Sequence, residues 1–396
     1  MPGTPTIQTT KGRSSIPANT SRVIQIAKQM PTLHEKTARL ASLAMKVSKK
    51  PVGDTAFGHN EQEPLPYIFT YNAASESSAG GTLTVANFTN GSALIEDDIL
   101  FNPNPLGIER MHISNAPTTT FTVDRNIGGG SSFMRTGDQL IRIGNAREEG
   151  VTTARAAKTT VETFIQFYLQ NLNWTKKFTE PAIAAEVYND PTRVNEHKKM
   201  MIEMMLDLEL MLYFGVSSAD IGGTSFAQPS SYGLMQHIQA GGNISSATVL
   251  TFDEIEALLE TPYEYGATEG FDFWCSPFIA RQVNGISRGQ AELTQDETSY
   301  GMLTKRLTTT YGPVDINPLP LLRGPYLKSI GFFTPKPFGD YIIHRFLSGN
   351  GKSHDFKMYL NTQAEESQLV QDEARTWCGY EFYENYKFAM FNRIIG

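Results

Sequence analysis

Residues 190–215 read DPTRVNEHKKMMIEMMLDLELMLYFG, and this stretch carries the strongest helix signal in the chain. Asp190 and Pro191 form a favoured helix start, and Gly215 stands where helices commonly end. As one helix, residues 191–214 would span roughly 36 Å. Methionine, leucine and isoleucine occupy more than one side of this helix, so we expect other elements to cover it on several faces.

The charges of this predicted helix run against its dipole. Three bases lie near its start and three acids lie toward its end: Arg193, Lys198 and Lys199, then Glu203, Asp207 and Glu209. Bases are mildly unfavourable at a helix N-terminus, and acids are mildly unfavourable at a C-terminus. We therefore expect opposite charges elsewhere, including on another subunit, to offset this pattern.

A basic arm, which we place at residues 1–62, opens the chain. Residues 1–50 carry nine Lys and Arg residues and one acid, whereas residues 51–396 carry 25 bases and 40 acids. Short helical patterns around residues 23–26 and 33–47 cannot bury their apolar stripes alone, so we expect the arm to dock. Three interpretations remain open: the arm binds nucleic acid, it binds the acidic bodies of neighbouring copies, or it is a solvated tail.

Short β-type runs dominate residues 63–176. They lie at residues 83–88, 94–101, 111–113, 119–123 and 140–143, with turn-forming clusters such as Asn90-Gly91 between them. This pattern predicts a small β module. Residues 165–170 alternate in polarity and predict one long half-buried strand.

The C-terminal half predicts a mixture of helices and strands. Thr251 and Glu254 form a capping box for a helix that ends near Gly266, and residues 271–275 form a strand that leads into a helix over 278–286. The polar residues 287–301 predict a mobile loop. Further strands are predicted at residues 303–317, 329–334, 340–347, 354–361 and 379–391.

The motifs that suggest chemistry all have simpler explanations. Residues 348–353 resemble a phosphate-binding loop, but Phe346 stands where that loop needs glycine and a strand pattern follows, so a hairpin turn is the better interpretation. The triple glycine at residues 128–130 lies between β-type runs and predicts a turn. Cys275 stands at a strand-to-helix junction with no histidine near it in sequence, which favours a buried core cysteine.

The remaining candidates for ligands or catalysis are also weak. The seven histidines lie too far apart in sequence for a helical or finger-type metal site, and the methionine stripe is typical of a core. We therefore predict no catalytic, cofactor-binding or metal-binding residues, no cofactor and no enzymatic activity. No segment has the length of a membrane span or the apolar core of a signal peptide, and two distant cysteines indicate synthesis in a reducing cytosol.

Several segments, taken in order, resemble one family of tailed-phage major capsid proteins. They are residues 119–129, 137–150, 212–215, 222–224, 232–234, 273–277, 311–314, 317–320 and 377–381, and the most extensive reads GDQLIRIGNAREEG at 137–150. Asp124 is inserted before the arginine of the family's pattern. The resemblance covers residues 75–396 and leaves the basic arm unmatched.

The resemblance implies an α+β chain with the Hong Kong 97-type phage capsid fold and an inserted small β module. It divides the chain into five parts: the N-terminal arm at 1–62, an E-loop region with the β module at 63–176, a P domain at 177–265 with its spine helix at 191–214, an A domain at 266–365, and C-terminal strands at 366–396 that return to the P domain. Some related capsids join subunits through a lysine–asparagine bond, but no such pair can be placed here and we predict none. Others carry a long N-terminal assembly domain that is cleaved off. The first 50 residues are short for that role, so we expect a separate scaffolding protein or none.

The function implied is that of a virion subunit that assembles with itself into pentamers and hexamers around double-stranded DNA, without sequence-specific binding and without a membrane. The portal protein and possible scaffolding and decoration proteins would be its other partners, and synthesis would take place in the host cytoplasm. Three alternatives remain: an encapsulin-like nanocompartment shell of the same fold, a nucleic-acid-binding protein acting through its arm, and an enzyme with an unrecognised site.

Overall fold

A computed structural model describes residues 38–72, 81–86, 88–103, 108–116, 121–128, 134–184, 192–223, 226–290, 294–295, 305–349, 352–363 and 369–394. The chain divides into two compact units. The large unit comprises Met1–Gly58 and Gln166–Gly396, and the small unit is the insertion His59–Ile165.

The described helices and strands confirm the predicted α+β class. The helices are α1 (Leu40–Val47), α2 (Glu180–Ala184), α3 (Thr192–Phe214), α4 (Leu234–Gly241), α5 (Phe252–Glu264), α6 (Pro277–Gln290) and α7 (Phe338–Tyr341). The strands are β1 (Lys49–Val52), β2 (Ala56–Glu61), β3 (Ile68–Thr70), β4 (Gly81–Ala86), β5 (Asp98–Asn102), β6 (Glu109–Asn115), β7 (Phe121–Arg125), β8 (Gln139–Asn145), β9 (Thr163–Tyr168), β10 (Gln170–Thr179), β11 (Ile244–Ala247), β12 (Phe271–Cys275), β13 (Thr294–Gln295), β14 (Lys305–Thr309), β15 (Gly312–Pro318), β16 (Gly331–Pro335), β17 (Ile342–Gly349), β18 (Lys352–Ser353), β19 (Lys357–Tyr359), β20 (Leu369–Phe382) and β21 (Ala389–Ile394).

The strands form four sheets. In the large unit, one sheet has the order β1-β17-β20-β10, with β18 beside β17 and β19 beside β20, and a second has the order β11-β21-β16-β12-β15-β14-β13. The small unit contains a sheet of order β3-β8-β5-β6-β7-β4. Strands β2 and β9 pair with each other where the chain enters and leaves the small unit.

The predicted long helix is confirmed as α3, and elements of the large unit cover it on several sides. Its side chains Met200, Met204 and Leu208 are buried, and Tyr213 near its end stacks on Phe332 of β16 with ring centroids 5.9 Å apart. The predicted start at residues 190 and 191 lies outside the described part of the chain. Gly215 follows the helix as predicted, because a side chain there would collide with the backbone oxygen of Ser231.

The charges of α3 that oppose its dipole find their partners within the chain. Arg193 donates to Asp372 of β20 at 2.5 and 2.6 Å, Glu203 pairs with Lys176 of β10 at 3.0 Å, and Asp207 accepts from Trp174 Nε1 of β10 at 2.7 Å. These contacts fasten α3 to the sheet that it lies against. Arg193 and Glu203 therefore have counter-charges within the chain. Asp207 is bound by a neutral indole N–H, so a counter-charge on another subunit stays a prediction for this residue.

Glu209 joins α3 to α1, the described helix of the N-terminal arm. One oxygen of its buried carboxyl group accepts the backbone N–H of Leu40 at 3.0 Å, and the other accepts that of Ala41 at 2.6 Å. Tyr213 donates its hydroxyl to the same carboxyl group. Burial raises the pKa of Glu209, and these donors oppose that rise. Because Leu40, Ala41, Leu43 and Ala44 are buried, the docking predicted for this part of the arm is confirmed.

The seven-stranded sheet has a packed apolar layer on one face. Phe271, Phe273 and Cys275 of β12 belong to one buried cluster with residues of α5 and α6. The predicted capping box starts α5: Glu254 N–H donates to Thr251 Oγ1 at 3.2 Å, and Thr251 N–H donates to the Glu254 carboxylate at 3.0 Å. The predicted strand over residues 271–275 is also confirmed.

Some predicted boundaries are wrong. Helix α6 continues to Gln290, so residues 287–290 are helical and do not belong to a loop, while residues 291–293 and 296–301 of that loop lie outside the described residues. The strand predicted at 303–317 is a hairpin of β14 and β15. The single strand predicted at 165–170 is divided between β9, which ends at Tyr168, and β10, which begins at Gln170 and continues to Thr179. The strand predicted at 379–391 is likewise divided between β20, which begins at Leu369, and β21.

We expect Glu209→Gln to destabilise the isolated subunit by roughly 1–3 kcal/mol, because an amide group cannot accept both backbone N–H groups of α1 and one buried donor loses its partner. Urea unfolding of the unassembled protein measures this change. The matched control is Glu203→Gln, whose ion pair with Lys176 is exposed and should contribute less than about 1 kcal/mol. Equal losses in the two variants would contradict an anchoring role for Glu209.

Candidate assembly surfaces

The segment that resembles a phosphate-binding loop is a hairpin. Ser348 and Gly349 of β17 pair with Ser353 and Lys352 of β18, in antiparallel register. A strand follows where a phosphate-binding loop requires a helix N-terminus. The turn interpretation is therefore confirmed. Gly128 lies in a turn after β7 with a φ of +82°, and Gly129 and Gly130 lie outside the described residues.

Both cysteines are buried and free. Burial raises the pKa of the Cys275 thiol far above its usual range and raises that of Cys378 to about 12. A thiol in such surroundings stays protonated at neutral pH and is a poor nucleophile. Cys275 packs in the apolar layer of the seven-stranded sheet, which confirms it as a core residue.

Three histidines of the large unit, His197, His237 and His344, pack against or pair with other parts of the fold. His197 of α3 lies 2.7 Å from Asp372, and His237 stacks on Phe382 with ring centroids 5.1 Å apart. Burial, with the nearby Lys49 adding to it, lowers the pKa of His344 to about 4. In the part of the chain that the structure describes, no group of three or more His, Cys, Asp or Glu side chains could hold a metal ion. None of the described helices is long and apolar enough to cross a membrane.

A buried cluster of four charged residues lies on the other face of the seven-stranded sheet. Asp272 of β12 and Asp315 of β15 are register partners on neighbouring parallel strands, and both side chains are almost fully buried. Lys336 donates to Asp315 and its Nζ lies 3.6 Å from Asp272, while Arg306 Nε donates to Asp315 at 2.9 Å. Two acids and two bases balance one another in charge, and the cluster joins β14, β15, β12 and the end of β16.

The pKa values of the two carboxyl groups in this cluster are shifted in opposite directions. Burial raises the pKa of Asp272 to about 6 against the opposing influence of Lys336, and its oxygens accept no hydrogen bond within 3.5 Å. Burial also acts on Asp315, but hydrogen bonds from Arg306 and Lys336 lower the pKa of that carboxyl group. Asp272 is therefore the member of the pair that takes up a proton first.

The small unit has apolar side chains on both faces of its sheet. One face packs the buried cluster that includes Phe69, Leu100 and Leu140. On the other face, Ile68 of β3 stands opposite Ile141 of β8, with 39% and 36% of their surfaces exposed, and Ile143 is 58% exposed. Neighbouring exposed apolar side chains on one face of a sheet are a candidate interaction surface.

Helix α3 also retains exposed apolar side chains. Val194, Met201 and Leu210 are between 37% and 44% exposed. Beside the helix lies a cavity of about 190 Å³, lined by four methionines and Phe356, with His344, Lys49 and Asp355 among its other walls. Methionine adapts its shape to a partner, which makes this part of α3 a candidate interaction surface.

A comparison with known protein families identifies the family of this chain. The family model of the SU10 major capsid protein matches residues 5–337, so the chain belongs to this family of capsid proteins. It is a shell subunit of the capsid of a phage virion. This assignment confirms the predicted function and agrees with the Hong Kong 97-type fold implied by the resemblance. No curated protein sequence matches the chain.

Distant likenesses to solved structures extend over nearly the whole chain. A holo-SrpI encapsulin complex from Synechococcus elongatus shares 10% identity at a TM-score of 0.49, with 94% of this chain and 92% of that chain covered. A structure from Microbacterium phage Oxtober96 shares 10% identity at a TM-score of 0.49, covering 93% and 95%. The capsid of a native GTA particle shares 11% identity at a TM-score of 0.47, covering 95% and 96%.

Sequence reasoning overlooked the charged cluster and the exposed face of the small unit. Asp272 stands in the otherwise apolar run Phe-Asp-Phe-Trp-Cys, and Asp315 stands between Val314 and Ile316. An acid inside a buried strand is a sign of a paired charge, so this signal was present in the sequence. The exposed isoleucines gave no such signal, because a strand that alternates in polarity does not reveal which neighbour remains uncovered.

We expect Asp272→Asn to flatten the pH dependence of stability between about pH 4 and 6. The raised folded-state pKa means that protonated Asp272 favours folding below the unfolded pKa, and this contribution is lost as the pH rises through about 6. The wild-type free energy of unfolding, measured with urea at each pH, should therefore fall relative to that of the variant across this window. Glu148→Gln, at an exposed site, should retain the wild-type slope, and parallel curves for wild type and Asp272→Asn would contradict the assignment.

Proposed function

We propose that this capsid subunit builds a closed icosahedral shell of pentamers and hexamers that encloses double-stranded DNA. The observation that carries the proposal is the set of apolar side chains left exposed on regular elements of both units, among them Met201 on α3 and Ile141 and Ile143 on β8. A chain that worked alone would gain by replacing such residues with polar ones. In a shell, each copy covers the exposed apolar surface of its neighbours.

We further propose that the chain follows the domain plan of the Hong Kong 97-type fold, with an arm at 1–62, an E-loop region at 63–176, a P domain at 177–265, an A domain at 266–365 and returning strands at 366–396. The six-stranded sheet of the small unit supports the β module within the E-loop region. The contacts of Asp372 in β20 with Arg193 and His197 of α3 support a return to the P domain. Strand β21 lies between β11 of the proposed P domain and β16 of the proposed A domain in the seven-stranded sheet.

The distribution of charge supports a container that holds DNA without specific binding. Residues 51–396 carry 25 bases and 40 acids, so a wall built from this body would repel the phosphate backbone and leave the packed genome free to move. The further proposals are a portal protein as partner, possible scaffolding and decoration proteins, synthesis in the host cytoplasm, and a purely structural role without enzymatic activity.

Electron microscopy of the purified protein, expressed alone and with the proteins encoded by neighbouring genes, tests the shell. We expect closed icosahedral particles, or rings of five and six subunits. Particles filled with protein cargo would favour the nanocompartment alternative over a virion. A chain that stays monomeric in both preparations would contradict the proposed assembly.

We expect the double substitution Ile141→Asp with Ile143→Asp to reduce the yield of assembled particles about tenfold or more, because buried interface positions tolerate charge poorly and each subunit repeats the defect. The folded subunit should keep its melting temperature within a few degrees, since both side chains are exposed in the single chain. Particle yield is measured by sedimentation. Thr152→Asp, an exposed position of the same unit, is the control, and equal yields from both variants would exclude this face from assembly.

A further inference from the structure

The cavity beside α3, which we call the methionine cavity, lies between the described helix of the arm, α3 and the sheet that contains β17 and β20. Its volume is about 190 Å³. Its apolar walls include Met45 of α1, Met201, Met204 and Met205 of α3, and Phe356. Two helices and a sheet thus border a space that no described side chain fills.

One polar side chain in the wall of the cavity has an unused hydrogen-bonding group. His344 of β17 is 2% exposed, and its Nδ1 atom has no hydrogen-bond partner in the described chain. Burial, with a smaller contribution from Lys49, lowers the pKa of His344 to about 4, so the imidazole is neutral near pH 7. A buried ring nitrogen without a partner is unfavourable, because it has lost its hydrogen bonds to water. The ring therefore favours a ligand that supplies the missing hydrogen bond.

The cavity extends from the interior of the large unit to its surface. Met204 is fully buried, whereas Met201 is 43% exposed. Lys49 and Asp355, which also line the cavity, form an ion pair whose side chains keep 30% of their surface exposed. Exposed side chains change rotamer on the order of nanoseconds. A small molecule can therefore enter beside them without unfolding of the core.

The volume and the lining of the cavity indicate a single neutral ring as the ligand. An apolar cavity of about 150 Å³ holds a benzene molecule, so this one accepts a six-membered ring with one small substituent. Methionine sulfur makes favourable contacts with the edges of aromatic rings. A charged group beside the buried His344 would lose its hydration, which is unfavourable. A hydroxyl group is neutral and can both donate and accept, so it can bond to Nδ1 in either tautomer of the imidazole.

We propose that the methionine cavity is a binding site for a small neutral aromatic alcohol, whose ring lies among the methionines of α1 and α3 and whose hydroxyl group bonds to Nδ1 of His344. Because Met45 and Met204 line the same cavity, the ligand contacts both the arm helix and α3. A molecule that binds only this arrangement stabilises it by mass action. The site thereby gives a small molecule a means to hold α1 in its docked position, independently of shell assembly.

Calorimetric titration with two probes tests the hydrogen bond. Phenol and toluene have the same ring, but only phenol has a hydroxyl group. We expect phenol to bind the purified full-length protein with a dissociation constant on the order of 1 mM. His344→Phe should lower the affinity for phenol, relative to that for toluene, about tenfold, because the new ring cannot form the hydrogen bond.

The matched control for this titration is His112→Phe in the small unit, which should keep the wild-type ratio of the two affinities. A ratio that is the same in His344→Phe as in the wild type would overturn the proposal. So would the absence of saturable phenol binding to the wild type.

The oxidation rates of individual methionines locate the bound probe. Hydrogen peroxide converts accessible methionine to its sulfoxide, and peptide mass spectrometry measures each rate. At roughly ten times its dissociation constant, phenol should slow the oxidation of Met45 and Met205 about fivefold or more. Met358 of β19 does not line the cavity and is 37% exposed, so its rate should not change. Equal slowing at all three residues, or at none of them, would overturn the assignment of the ligand to this cavity.

Discussion

A helix with apolar residues on nearly every side cannot be stable in water alone, and this constraint organises the large unit. Each side of α3 meets a different element: α1 through the carboxyl group of Glu209, β10 and β20 through ion pairs and hydrogen bonds, and β16 through Tyr213 stacked on Phe332. The helix thereby connects α1 of the arm, the sheet that contains β10 and β20, and strand β16 of the seven-stranded sheet. The apolar side chains that stay exposed on it have no cover within the described chain, which agrees with membership of a capsid protein family.

Features that depend on neighbouring residues in the sequence could be predicted closely. The capping box at Thr251 and Glu254, the strand before Ser276 and the length of α3 all follow from local spacing. The second half of β10 and the first half of β20 could not be predicted in this way, because polar residues such as Lys176 and Asp372 become strand residues through contact with α3. Their hydrogen-bond partners lie on segments that are distant in sequence, and local patterns contain no information about such pairs.

Unfavourable local charges have two different outcomes in this chain. In α3, the groups that oppose the dipole also form tertiary contacts, and these contacts hold the helix against a sheet. In α5, Glu256, Glu260 and Glu264 form a row of like charges at intervals of four residues. No described base balances these three glutamates, and they lie beside exposed tyrosines. The candidate assembly surfaces thus fall into two chemical classes. One is apolar, on α3 and the outer face of the small unit. The other is acidic and aromatic, and it lies on α5, which packs against the seven-stranded sheet.

The pairing of β2 with β9 brings together the two points at which the chain enters and leaves the small unit. Because the ends of the insertion are already neighbours, its length and content can change without stretching the large unit. For the same reason, a foreign sequence could be inserted within the small unit, after Glu61 and before Thr163, while the pair of β2 and β9 still closes the loop.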